Sequence, residues 1–155
     1  MMSVGESVAI EFKYSSFNVR GFTLTQISLP KDEQIPVGFH LELEFSLDDE
    51  KQILICRLST VIQIGEGDEV QKCVELDTES AYNVRGWENL QKEGKTYQLP
   101  DDLLVTLFSI HYSTTRGVLI EKTSGTPFSR FILPIMNVKE ILFNSDGKPR
   151  YQVRE

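Results

Sequence analysis

One long helix constrains this chain more than any other feature of its sequence. It is predicted over residues 99–125, because Pro100 suits a first helical position and Gly125 can adopt the left-handed conformation that ends a helix. At about 100° per residue, one wide stripe of the helix is apolar enough to lie against a core. The members of this stripe are Leu104, Leu107, Phe108, His111, Tyr112, Thr115, Val118 and Leu119.

The opposite face of the helix lacks the charges expected of a surface in water. Ser109, Ser113 and Gly117 recur at every fourth position, so another helix backbone can approach closely along this row. We therefore predict an oligomer interface of a homodimer or homotetramer, with a weakly polar solvent face as the alternative. A membrane span is not predicted, because polar residues interrupt the apolar run. The predicted interface consists of Thr106, Ser109, Ile110, Ser113, Gly117 and Ile120.

Length and charge limit the classes of function. The 155 residues suit one domain, predicted over residues 1–143 with a polar tail over 144–155. A formal net charge of −7 argues against binding to nucleic acid or to anionic membranes and favours a basic partner. Residues 1–6 have neither the basic segment nor the apolar core of a signal peptide, so a cytoplasmic location is expected.

Alternating apolar and polar residues predict four strands before the helix. Residues 7–29 form either one long strand bent at a bulge or two short strands, because Ser15 and Ser16 interrupt the alternation. Residues 38–47 form the clearest strand, and the strand over 54–64 is predicted to be central because both of its faces are apolar. A fourth strand follows the turn at 65–69, and its alternation fades after Thr78.

The register of the last two strands decides where the two cysteines lie. Matching buried faces pairs Ile64 with Val70 and Leu58 with Leu76. Cys56 then points inward and Cys73 outward, so no disulfide is predicted. Beyond the helix, residues 126–134 are predicted to be an extended crossing segment, and 138–143 a helical turn or a short strand. The fold class is therefore α+β, with a four-stranded antiparallel sheet and one long helix.

Catalytic chemistry has no support in the sequence. The two histidines, His40 and His111, are not brought together by any predicted element, and His111 is interpreted as a hydrogen-bonded core residue. No phosphate-binding loop, nucleophile elbow, zinc-ligand spacing or pair of carboxylates with catalytic spacing occurs. We therefore predict neither an enzyme nor a cofactor or metal site.

Two surfaces are candidate partner sites. The first is an acidic outer face of the sheet, whose alternative role is to keep the protein soluble. The second is a set of apolar residues in aperiodic segments, which either bind extended polypeptide or cap the edge of the core. The acidic face consists of Glu42, Glu44, Glu75, Asp77 and Glu79. The client-binding set consists of Trp87, Phe128, Phe131, Ile132, Ile135 and Met136.

The order of elements and two short motifs resemble the SecB export-chaperone family. Residues 107–116, Leu-Phe-Ser-Ile-His-Tyr-Ser-Thr-Thr-Arg, resemble the helix that leads to a Tyr-Ala-Arg segment in that family. Residues 133–138, Leu-Pro-Ile-Met-Asn-Val, resemble its Leu-Ala-Pro-Val-Asn-Phe segment. The chain departs from the family at Thr115, where alanine is usual, and at its polar C-terminal end, where the family has a second helix and an acidic tail.

The resemblance implies both an assembly and a function. It implies a tetramer built through the helices, ATP-independent holding of unfolded polypeptides in apolar grooves, and docking of a SecA-type motor on the acidic sheet face. The departures favour a SecB-like relative that is not necessarily coupled to export. Two other hypotheses are a small-ligand carrier with a cavity between helix and sheet, and a dedicated chaperone of one partner such as an antitoxin.

Overall fold

The computed structural model describes residues 10–29, 35–89, 91–93 and 96–154. Four long strands precede one long helix, and short elements follow it. The strands are β1 (Glu11–Leu24), β2 (Val37–Asp48), β3 (Ile53–Ile64), β4 (Gln71–Arg85), β5 (Gln91–Glu93), β6 (Thr96–Gln98) and β7 (Gln152–Arg154). The helices are α1 (Asp101–Thr123) and α2 (Val138–Leu142), and 3₁₀ turns span Gly67–Glu69, Trp87–Asn89 and Pro127–Arg130.

The main sheet has the strand order β1-β4-β3-β2-β7. Strands β1 to β4 pair antiparallel, and α1 packs across their inner face, which confirms the predicted α+β class. Strand β3 lies in the middle, as its two apolar faces indicated. Strand β1 is the single bent strand of the two alternatives, with irregular pairing between Tyr14 and Ser16 and between Val19 and Gly21. The predicted strand start at residues 7–9 lies outside the described residues.

The predicted register between β3 and β4 is wrong. At the turn, Ile64 pairs with Gln71 instead of Val70, which shifts the pairing by one residue. A bulge between Ile62 and Gln63 inserts one extra residue into β4 and shifts it by a second, so Leu58 pairs with Thr78. The bulge turns Cys73 inward, and its thiol donates a hydrogen bond of 3.2 Å to the carbonyl of Ile62. Both cysteines are therefore buried free thiols, and the predicted outward position of Cys73 is wrong.

The turn before β4 explains why glycine occupies position 65. Gly65 has a φ of +100°, and a Cβ atom there would lie 2.5 Å from the backbone oxygen of Glu69. Strand β4 then continues to Arg85, well past the predicted fading at Thr78. Thr78 and Ser80 are buried on the same face as Leu76 and Tyr82. These two polar residues interrupt the apolar pattern, although the strand itself is continuous.

The long helix has the predicted buried stripe. Seven of its eight predicted members are buried and Val118 is half-buried. Pro100 is the N-cap instead of the predicted first helical residue, so α1 begins one residue later at Asp101, and Gly125 has a φ of +79°. By length and composition α1 could also cross a membrane, but 39% of its most apolar window is already buried in the fold. Two of its buried polar side chains, His111 and Thr115, hydrogen-bond to β4, and a third, Thr123, donates to the carbonyl of Leu119 in the helix itself.

The chain after α1 returns to the sheet. The predicted extended segment over residues 126–134 is wrong at Pro127–Arg130, which form a 3₁₀ turn. Residues 131–137, which we call the crossing segment, are neither helix nor strand, and α2 is the helical turn of the two predicted alternatives. The polar C-terminal end then forms β7, which pairs parallel with β2. The ring of Tyr151 packs edge-on against Phe45 and Phe143, with centroid distances of 5.3 and 5.9 Å.

One buried hydroxyl group on β3 has no hydrogen-bond partner among the described residues. Thr60 is fully buried, and its Oγ1 is unpaired. Replacing it with valine removes a desolvated polar group and keeps the branched shape, so Thr60→Val should stabilise the chain by about 1 kcal/mol. Urea unfolding of the parent and the variant measures this difference. A destabilised variant would show that the hydroxyl is hydrogen-bonded after all.

Candidate functional site

Three large apolar side chains on the crossing segment are exposed. Ile132, Ile135 and Met136 are 47%, 87% and 40% exposed. Phe39, on the neighbouring β2, is 37% exposed. Clusters of this kind on a soluble fold are typical of binding surfaces.

A groove of about 420 Å³ runs between β2 and the crossing segment, and we call it the β2 groove. Residues 39–43 of β2 line one side, and residues of α1, the crossing segment, α2 and the C-terminal segment line the rest. The lining combines apolar side chains of Phe39, Leu41, Leu43, Tyr112, Leu133, Pro134, Met136 and Ile141 with polar side chains of His40, Glu42, Glu140 and Arg150. A lining of both kinds suits an extended polypeptide, which presents apolar side chains and polar backbone.

Two side chains of α1 fix the crossing segment in place. The hydroxyl of Tyr112 donates a hydrogen bond of 2.7 Å to the carbonyl of Pro134, and Nε of Arg116 donates one of 2.6 Å to the carbonyl of Leu133. Burial raises the pKa of Tyr112, so its hydroxyl keeps the proton it donates. The two motifs that resemble the SecB family are therefore in direct contact, and their contact shapes the β2 groove.

The sheet edge beside the groove has unpaired backbone. Within the described ranges, β2 pairs with β3 over its whole length on one side, but on its outer side it pairs only with β7, at Glu44–Ser46. The edge from Val37 to Leu43 therefore presents backbone N–H and C=O groups without a partner strand in the described part of the chain. Such an edge can accept an added strand.

The predicted client-binding residues divide into two groups. Ile132, Ile135 and Met136 are exposed at or beside the β2 groove. Trp87, Phe128 and Phe131 are buried in the core, at 4%, 2% and 8% exposure. The placement of these three aromatic residues fits the alternative interpretation, that they cap the edge of the core, because the aperiodic segments that carry them fold back onto it.

The predicted acidic face is an ion-pair network. Glu79 accepts hydrogen bonds of 2.7 Å from Arg20 and from Arg57, and Arg57 also lies 3.9 Å from Glu44. Burial would raise the pKa of Glu79, but these bonds and charges outweigh it and lower that pKa. Glu75 lies 3.9 Å from Lys72, and Glu42 and Asp77 line a cleft of about 590 Å³ on this face. The arginines reduce the negative charge that the sequence pattern suggested.

The outer face of α1 is exposed in the single chain. Ile110 and Ile120 are 42% and 46% exposed, Ser113 and Gly117 are also exposed, and Ser109 is half-buried. A Cβ atom added at Gly117 would meet nothing within 4 Å. Glycine costs about 1 kcal/mol in a helix relative to alanine, and no contact within the described chain requires it.

A buried polar cluster joins α1 to β4. His111 is the hydrogen-bonded core residue that was expected from the sequence, but its partners were not predicted. Nε2 of His111 lies 2.9 Å from Oγ1 of Thr78, its Nδ1 contacts Oγ of Ser80, and Thr78 also bonds Thr115 at 2.9 Å. Tyr14 extends the cluster with a 3.1 Å bond to Ser80. Desolvation lowers the pKa of His111 to about 4, against a small opposing effect of Glu79. The sequence signal was the pair of polar residues on the buried face of β4.

The described residues contain no group of three or more histidine, cysteine or carboxylate side chains placed to hold a metal ion. The pairing of Ser80 with His111 resembles an activated hydroxyl, but both side chains are fully buried. The candidate site therefore offers a binding surface, namely a groove lined by apolar and charged side chains beside open backbone.

This fold is SecB-like. A solved structure that resembles it is a SecB-like chaperone from Mycobacterium tuberculosis in complex with a ChAD peptide from the HigA1 antitoxin. The TM-score is 0.58 at 13% identity, with 81% of this chain and 89% of that chain covered. A protein of unknown function from Streptococcus agalactiae matches with a TM-score of 0.43 at 13% identity, over 83% of this chain and 98% of that chain. No family model and no curated protein sequence matches the chain.

Proposed function

We propose that the chain is a SecB-like chaperone, a binding protein rather than an enzyme, that holds extended nonnative polypeptide in the β2 groove. The observation that carries this proposal is the position of the β2 groove, with its apolar and charged lining, beside an open sheet edge. A client in extended conformation pairs its backbone with β2 and directs alternate side chains toward Phe39, Leu41 and Leu43. Burial and backbone pairing supply the affinity, so holding needs no ATP.

The proposal also draws on the solved SecB-like chaperone, which binds a peptide from an antitoxin. That complex favours a second candidate, a dedicated chaperone of one partner. A small-ligand carrier is not favoured, because side chains such as Leu58, Leu76 and Phe108 fill the layer between helix and sheet. Suppression of aggregation of several unrelated unfolded proteins separates a general chaperone from a dedicated one.

Removing the exposed apolar side chains of the crossing segment should weaken client binding. The double variant Ile135→Ser and Met136→Ser loses apolar area that a client would cover, so we expect about tenfold weaker binding. The measurement is fluorescence anisotropy of a labelled, permanently unfolded polypeptide without nucleotide. Val70→Ser is the matched control, because Val70 is 42% exposed and is absent from the groove lining. Equal affinities of the parent and the double variant would contradict the assignment of the groove.

We propose further that the outer face of α1 joins copies of the chain into a dimer or tetramer. The exposed Ile110 and Ile120 and the otherwise unexplained Gly117 support a close helix-to-helix contact. We also propose that Glu42, Asp77 and Glu75 on the sheet exterior attract a basic partner, of which a SecA-type motor is one example. Binding of such a partner should weaken as salt rises, because these charges are exposed or half-buried.

A further inference from the structure

The C-terminal strand lies on the same edge of β2 that the proposed function assigns to clients. Glu44 pairs with Gln152, Phe45 with Val153 and Ser46 with Arg154, all parallel. This pairing covers part of the C-terminal half of β2, which is 12 residues long. A client strand that runs the full length of the edge therefore meets β7.

The segment before β7 also reaches the β2 groove. The backbone N–H of Arg150 donates a 2.7 Å hydrogen bond to the carbonyl of Leu142, and its Nη1 donates a 2.9 Å bond to the carbonyl of Glu140. Arg150 lines the groove, and the next residue, Tyr151, packs between Phe45 and Phe143. The C-terminal segment thus closes one end of the groove.

The pairing of β7 is the weakest in the main sheet. Three residue pairs hold it, whereas β2 and β3 pair along their whole lengths. Parallel pairing is slightly less stable per residue than antiparallel pairing, and terminal segments open more readily than internal ones. Release of β7 costs Tyr151 its aromatic contacts but leaves the four long strands paired.

We propose that β7 is a displaceable internal competitor of the client. A short extended segment binds along Val37–Leu43 beside β7, and a longer one releases β7 and pairs with Glu44–Ser46 in its place. This inference rests on the proposed function. The affinity for long segments is then reduced by the fraction of molecules in which β7 is bound, so the C-terminal segment sets a threshold of client length.

The test compares two labelled peptides of alternating valine and threonine, one of 6 residues and one of 14. Removing residues 151–155 should raise the affinity for the long peptide about fivefold and leave that for the short peptide unchanged. Tyr151→Ala should act in the same direction with a smaller effect, and Lys148→Ala, in the exposed turn before β7, is the control. Equal changes for both peptides, or no change for the long one, would overturn the inference. If neither peptide binds to the parent or to any of the variants, the proposed function itself is overturned.

Hydrogen exchange on the full chain tests the same inference where truncation harms folding. Binding of the long peptide should speed the exchange of the amides of Gln152–Arg154, and binding of the short peptide should not. Unchanged or slower exchange with the long peptide bound would show that β7 stays in place.

Discussion

Lowering the pH from 7 to 5 is expected to reduce the free energy of unfolding by about 2 kcal/mol through His111 alone. His111 is fully buried between α1 and β4, and desolvation lowers its pKa in the folded chain from 6.5 to about 4. Between these two pKa values, His111 binds a proton in the unfolded chain but not in the folded chain.

The direction of this effect follows from counting protons. Above pH 6.5 the imidazole is neutral in both states, so it adds no pH dependence. Between pH 6.5 and 4 only the unfolded state binds the proton, and stability falls by about 1.4 kcal/mol per pH unit as the pH falls. Below pH 4 both states are protonated, so the total loss reaches about 3 kcal/mol. The lowered pKa of Glu79 adds a further loss only below its unfolded value of 4.5.

Urea unfolding at pH 7, 6 and 5 measures the slope. His111→Gln should be less stable at pH 7 but should lose most of the slope, whereas His40→Gln should keep it because the side chain of His40 is 65% exposed. A parent protein with equal stability at pH 7 and 5 would contradict this account of the buried cluster.

Ser113→Lys is expected to convert the proposed assembly into monomers. Ser113 lies in the middle of the exposed row on α1, where another helix would come closest. A lysine there places a charge in the contact without a partner, and an unpaired buried charge costs several kcal/mol. Because Ser113 is exposed in the single chain, the fold itself should tolerate the substitution.

Light scattering coupled to gel filtration reads out the assembly. The parent should have a mass of two or four chains at micromolar concentration, and Ser113→Lys a mass of 17.7 kDa. Ser124→Lys adds the same charge at the exposed C-cap of α1 and should keep the parent mass. A monomeric parent, or an unchanged mass of Ser113→Lys, would refute the interface.

Periodicity predicted the elements that bury one regular face. The stripe of α1 from Leu104 to Leu119 and the central place of β3 follow from spacing alone, because these side chains enter the core at fixed intervals. The register between β3 and β4 was missed by two residues, because neither the pairing of Ile64 with Gln71 at the turn nor the extra residue at the Cys73 bulge leaves a mark in the hydrophobic pattern. The continuation of β4 past Thr78 was missed because Thr78 and Ser80 are polar, and the partner on α1 that allows them to be buried is distant in sequence.

The candidate site was predicted only in part. Of the residues predicted to bind clients, Ile132, Ile135 and Met136 are exposed, but Trp87, Phe128 and Phe131 fold into the core. An aperiodic segment carries no information about which side each residue faces, so tertiary contacts decide it. The ion pairs of Arg57 with Glu79 and Glu44 follow from strand register and side-chain reach, which the alternation of charges does not reveal.

The inward turn at Cys73 makes the two thiols internal reporters of opening. Burial raises the pKa of both Cys56 and Cys73, and the thiolate is the form that reacts with alkylating agents and oxidants. The folded chain thereby shields both sulfur atoms from modification. The cysteines lie on adjacent strands, so separation of β3 from β4 uncovers them together. The rate at which they become labelled therefore measures how often this central pair of strands comes apart.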